Sequence, residues 1–140
     1  MSVHWKHYIG LKGGYAIARA LRTNTTLTDL DLNTNMLDNS VGIAIAEALQ
    51  SNEALQDVKL SNNFFRQDGG LAFVTLLQRS RVSAGTVATS EASAGAVGVA
   101  RLGCVSRRQL DLRRNHLGSY ATKLLKAEGK TAGTIWHLRL

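Results

Sequence analysis

Three carboxylates, Asp29, Asp31 and Asp57, lie in two matching short segments, LTDLDLNTN and LQDVKLSNN. Paired carboxylates do acid–base work when burial or a like charge drives their pKa values apart. Here each acid is followed by an apolar residue. In an extended chain such neighbours point to opposite faces, so the acids would face water. An open surface does not raise a carboxyl pKa, and acid–base catalysis is not expected. What remains is recognition. Lys59 and Ser61 continue the second segment, and QLDLRRN and WHLRL repeat the alternation near the end of the chain. The candidate partner-binding residues are Asp29, Asp31, Asn33, Asp57, Lys59, Ser61, Gln109, Asp111, Arg113, His137 and Arg139. In chain order they run from acidic through mixed to basic, an arrangement that orients a charged partner and speeds its arrival. The competing reading is a merely solvated face, whose Asp–Lys and Asp–Arg neighbours pair with each other for roughly 0–1 kcal/mol.

Other chemistries find less support. His4, His7, His116, His137 and Cys104 have no compact ligand spacing, so no metal site is expected. Cys104 has no histidine arranged to activate it and reads as a small core residue. Residues 10–14, GLKGG, lack the GK[ST] ending of a phosphate loop and read as a turn before a helix. No catalytic residue, cofactor or metal is assigned.

These residues are placed by a spacing of 28. Leu27, Leu30, Leu32, Asn35, Leu37, Gly42, Ala46 and Leu49 are matched by Leu55, Val58, Leu60, Asn63, Phe65, Gly70, Val74 and Leu77. Leu30 and Leu32 alternate as in a short strand, whereas Ile45, Ala46 and Leu49 share one face of a helix. Asn35, Asn63 and Asn115 recur at the end of each strand segment. A short amide there can bond the backbone of the turn and of the neighbouring unit, so these three are read as structural.

The pattern resembles the leucine-rich repeat, in its long ribonuclease-inhibitor-like form found in NOD-like receptors, Ran GTPase-activating proteins and tropomodulin-like proteins. The resemblance implies a right-handed α/β solenoid of about five units. Short parallel strands would line a concave face, helices a convex one, and proteins would bind across the concave side. Of the residues before the first full unit, Gly14, Ala18, Leu21 and Asn24 match the helix, but Ser2 and His4 fall where leucines belong. The middle unit is degraded. Residues 80–94, rich in Ala, Ser, Gly and Thr, fit either a weak strand plus turn or a loop, followed by a helix over 95–103. Gly118 is expected to open a further helix and 135–140 to form a last strand.

The 140 residues suffice for one domain, read as residues 1–140 and as a slice of a longer array in one interpretation. Neither end has an evident polar cap, so either self-association or a neighbouring unit covers Trp5, Tyr8, Trp136 or the last strand, or the terminal aromatics cap the stack themselves. Residues 1–70 carry six Lys/Arg against seven Asp/Glu, net −1, and residues 71–140 carry eleven against three, net +8. Arg107, Arg108, Arg113, Arg114, Lys123, Lys126 and Lys130 supply most of that basic half. Nucleic-acid binding is disfavoured, since no aromatic lies between Phe73 and Tyr120 to stack on bases. The absence of a signal-like start and a single cysteine point to a cytoplasmic, non-membrane protein. The expected function is non-catalytic binding of a protein partner, with a GTPase-activating or other regulatory role, or nucleic-acid binding through the basic C-terminal half, as the alternatives.

Overall fold

The computed structural model describes residues 2–4, 8–90, 108–130 and 136–140, with side chains described for 8–80, 108–130 and 136–140. The elements are β1 (Ser2–His4), α1 (Gly10–Leu21), β2 (Asp29–Asp31), α2 (Asn39–Ser51), β3 (Asp57–Lys59), α3 (Gln67–Ser90), β4 (Arg108–Asp111), α4 (Gly118–Gly129) and β5 (Trp136–Arg139). The strands form one parallel sheet in the order β1-β2-β3-β4-β5. Helices pack side by side in the same order, α1 on α2, α2 on α3 and α3 on α4.

Alternation decides which face of the sheet is covered. Leu30, Val58 and Leu110 are buried under the helices, and Leu32, Leu60 and Leu112 follow them into the core. The helices answer with Ala18 and Leu21, with Val41, Ile45, Ala46, Ala48 and Leu49, with Phe73, Val74, Leu76 and Leu77, and with Ala121 and Leu125. Phe65 and Phe73 meet as a tilted ring pair, centroids 6.0 Å apart, between β3 and α3. Close helix contact depends on small residues. A Cβ on Gly70 would lie 2.9 Å from that of Ala121, and one on Gly14 would lie 2.6 Å from Val41 Cγ1.

The expected five-unit leucine-rich-repeat solenoid is corrected to a small α/β domain with four helices among the described residues. Where a weak strand or loop was expected over 80–94, α3 continues unbroken to Ser90. No proline stops it. The sheet accordingly passes straight from β3 to β4, Val58 pairing with Leu110, with no strand from the degraded unit between them. The expected helix at 95–103, Cys104, Arg107, Trp5, His7 and Ile135 lie outside the described residues.

One further expectation shifts. The first strand is offset by 27 residues, Val3 pairing with Leu30, so the valine stands where the 28-residue spacing had put Ser2. Gly118 opens a helix as expected. It begins α4 with φ 73°, a left-handed start that glycine adopts without steric cost.

Candidate protein-binding face

The sheet face turned away from the helices carries the candidate residues in two registered rows. Asp29, Asp57, Gln109 and His137 are partners on β2 to β5, and Asp31, Lys59, Asp111 and Arg139 form the second row. Adjacent parallel strands lie about 4.8 Å apart, so each row spans about 14 Å. Asn33, Ser61 and Arg113 continue the pattern beyond the strand ends. With Thr34, Asn62 and Arg114 they line a polar depression of about 370 Å³. The eleven residues therefore share one surface, although 78 positions separate Asp31 from Gln109.

Local bonds hold this surface in place. The Asp31 carboxylate accepts from Asn33 N–H at 3.0 Å, and Asp111 does the same for Arg113 N–H at 3.1 Å. Asn33 Oδ1 accepts from both the N–H and the hydroxyl of Ser61, at 2.7 and 2.8 Å. Thr28 donates its hydroxyl to Asp29 at 2.6 Å. Each turn then passes through a left-handed residue, Thr34, Asn62 or Arg114, with φ between 55° and 60°. Asparagine tolerates that region, while a β-branched threonine is strained in it.

Charge follows the row order. Asp29 and Asp31 lead, Lys59 Nζ stands 4.0 Å from Asp57, and Arg113 forks onto Asp111 with Nη2–Oδ2 at 2.6 Å and Nε–Oδ1 at 3.0 Å. Asp111 is the exception to an exposed face, since only 5% of it reaches solvent. Burial pushes its carboxyl pKa up. The side-chain and backbone hydrogen bonds from Arg113 and the charges of Arg113 and Arg139 outweigh burial and hold it below the usual carboxylate range. The same fork raises the Arg113 guanidinium.

The turn asparagines form a ladder beneath this face. Asn63 Oδ1 accepts from Asn35 N–H at 3.0 Å and Leu37 N–H at 3.1 Å, while its amide donates to Leu32 and Leu60 carbonyls at 2.9 and 3.0 Å. Asn115 repeats the arrangement one strand on, accepting from Asn63 N–H at 3.0 Å and donating to Leu60 and Leu112 carbonyls. A second ladder runs at the other end of the strands. Asn52 donates to the Leu21 and Asn24 carbonyls at 2.7 and 2.9 Å, and accepts from Ala54 and Leu55 N–H at 2.9 Å each.

The next asparagine of that second ladder is missing, since residue 80 is a serine inside α3. Arg108 takes its place, donating to the Asn52 and Glu53 carbonyls at 2.9 Å each and lying 5.3 Å from the Trp136 ring centroid. Burial lowers the Arg108 pKa, opposed by the Glu53 charge. Trp136, placed by sequence at an end of the stack, is 2% exposed beside this arginine. Helix starts are also shared between neighbours. Asp38 caps α2 through Val41 N–H at 3.1 Å, and the adjacent Asn39 accepts from Arg66 N–H at 2.6 Å at the start of α3. Sequence reasoning missed both the arginine replacement and the borrowed cap. A polar residue directly after a helix cap was the only available signal for the cap.

Among the described residues no group of three His, Cys, Asp or Glu is arranged to hold a metal ion. None of the described helices is long and apolar enough to cross a membrane.

Fold and site together define an α/β domain whose parallel sheet presents a polar, charge-graded surface opposite its helices. No family model matches the chain. No curated protein matches it either. Among solved structures it is similar to leiomodin-1 actin-binding site 2, with TM-score 0.69 and 16% identity over 99% of this chain and 68% of that one. At that identity the likeness is one of fold. It places the chain beside an actin-binding α/β domain and overturns the expected leucine-rich-repeat solenoid, including its repeat character.

Proposed function

We propose that the chain is a non-catalytic protein-binding domain that receives its partner on the outward rows of the sheet. The observation that carries this reading is the registered charge gradient, from Asp29 and Asp31 on β2 to His137 and Arg139 on β5. Its shape suits a broad, complementary protein surface better than a small molecule, because the strand rows are open and the depression described beside them is polar. The likeness to a leiomodin actin-binding site supports a protein partner and makes actin the first to test.

The test is binding to monomeric actin by fluorescence anisotropy, alongside photo-crosslinking in cells from Gln109 on the sheet face and from Gln50 on the helix side. Protein adducts from Gln109, lost when Asp29 and Asp57 become lysine, support the reading. Adducts formed only from Gln50, or nucleic acid captured in place of protein, refute it. Binding that survives both charge reversals also refutes it.

A further inference from the structure

Tyr8, Met36, Phe64 and His116 each stand one residue before a side chain that packs in the core: Ile9, Leu37, Phe65 and Leu117. With the following side chain turned inward, each is turned out. Tyr8 is 77% exposed, Met36 49% and Phe64 52%, and His116 is exposed as well. Met36, Phe64 and His116 thus stand on successive turns of an otherwise polar edge, with Tyr8 exposed just before α1, and large apolar groups gathered on one edge are uncommon without a use. Their spacing is fixed by the backbone, since Phe64 N–H donates to the Leu37 carbonyl at 2.8 Å and Asn63 N–H to Asn115 Oδ1 at 3.0 Å. From Met36 through Phe64 to His116 the row therefore advances by about one strand spacing, about 4.8 Å, per step.

We propose that this edge docks an amphipathic α-helix of a partner protein, with acidic residues beside its apolar stripe. Helix positions i, i+3 or i+4, and i+7 advance by about 4.5–6 Å per step, in time with the row. Same-face residues of an extended strand are about 6.6 Å apart and fall out of step within two contacts. The acidic flank follows from charge. Arg66, Arg113 and Arg114 are exposed beside Phe64 and His116, and among the described residues Arg66 and Arg114 make no ion pair. The nearby acids are engaged elsewhere, Asp38 as the cap of α2 and Asp68 in the first turn of α3. This surface lies at the strand ends; it meets the partner face at Arg113 and Arg114 but includes none of the two strand rows.

Three labelled synthetic peptides test it by anisotropy against the full chain: a helix with leucines at i, i+3, i+7 and i+10 flanked by glutamates, the same helix flanked by lysines, and the glutamate version broken by a central proline. The glutamate helix is expected to bind at least ten-fold more tightly than either control. Met36→Ser with Phe64→Ser should weaken it at least ten-fold, and Arg66→Glu with Arg114→Glu should do the same. Asp57→Lys on the sheet face should leave it unchanged, which separates this surface from the proposed partner face. Met36, Phe64, Arg66 and Arg114 are exposed and Asp57 is half-buried, and unfolding curves check that each variant folds. Equal affinity for the three peptides, or affinity indifferent to both pairs of substitutions, overturns the proposal. So does dimerisation of the chain that the Met36/Phe64 pair abolishes, since a second copy would then be the occupant.

Discussion

Replacing Asn63 with alanine removes the centre of the turn ladder, and the structure sets the size of the effect. Asn35 N–H, Leu37 N–H and the Leu32 carbonyl each lose the bond they make to this side chain, while the Leu60 carbonyl keeps its bond from Asn115 at 3.0 Å. Asn63 is 3% exposed, so the vacated space is polar, enclosed and large enough to admit a water that restores part of the loss. At about 1–3 kcal/mol for each buried group left unsatisfied, trimmed by that water, the expected cost is about 3–5 kcal/mol. Against a typical domain stability of about 5–15 kcal/mol that is a large fraction. Asn115→Ala should cost roughly half as much, because Asn115 is only half-buried and supports a single N–H on the neighbouring turn. The assay is urea unfolding followed by circular dichroism, comparing midpoints at constant slope. A loss below about 1 kcal/mol for Asn63→Ala, or a larger loss for Asn115→Ala, would refute the ladder as the element that ties the turns together.

Other perturbations have equally definite outcomes. Asp111 is held below the usual carboxylate range, so its contribution to stability is present above the unfolded-state pKa and is lost as pH falls through the lower folded value. Arg113→Gln should therefore lower the unfolding midpoint at pH 7, with the difference from the parent shrinking in acid as the carboxylate is protonated; equal midpoints at pH 7 would contradict this. Thr34→Gly relieves a strained left-handed threonine and should stabilise by roughly 0.5–1 kcal/mol in the same unfolding assay, less the bond its hydroxyl accepts from Asn62 at 3.1 Å. Gly70→Ala sets a new Cβ against that of Ala121, which the α4 backbone holds fixed, and should cost a net of about 1 kcal/mol after the gain in helix propensity. A thermal melt that rises for Gly70→Ala would show that the α3–α4 contact is looser than described.

What could be read from the chain was the part governed by local alternation. Leu30/Leu32 and Val58/Leu60 each mark one buried strand face, and residues 28 apart pair in register, Asp29 with Asp57 and Asp31 with Lys59. The placement of the candidate residues in common rows follows from that spacing. Three features escaped because they depend on competition between distant segments. The extent of α3 was hidden by its Ala, Ser, Gly and Thr content, which suits a loop as well as a helix once no proline decides the matter. The one-residue offset of β1 was hidden because Val3 and its neighbours lack the leucine spacing of later strands. Arg108 was read as one more charge of a basic half. Its actual surroundings, two backbone carbonyls and an indole ring, come from residues 28 and about 55 positions away. A charged side chain that replaces an asparagine in a hydrogen-bonding ladder leaves no periodic trace.

The partner face is tested most directly by isotope-labelled nuclear magnetic resonance titration with monomeric actin, the first candidate, and with any partner captured by crosslinking from Gln109. The account predicts shift changes confined to β2–β5 and the adjoining turns, strongest at Asp29, Asp57, Gln109 and His137, and abolished by lysine at Asp29 and Asp57. Changes concentrated on the outer surfaces of α2 and α3, with the sheet rows silent, would contradict it.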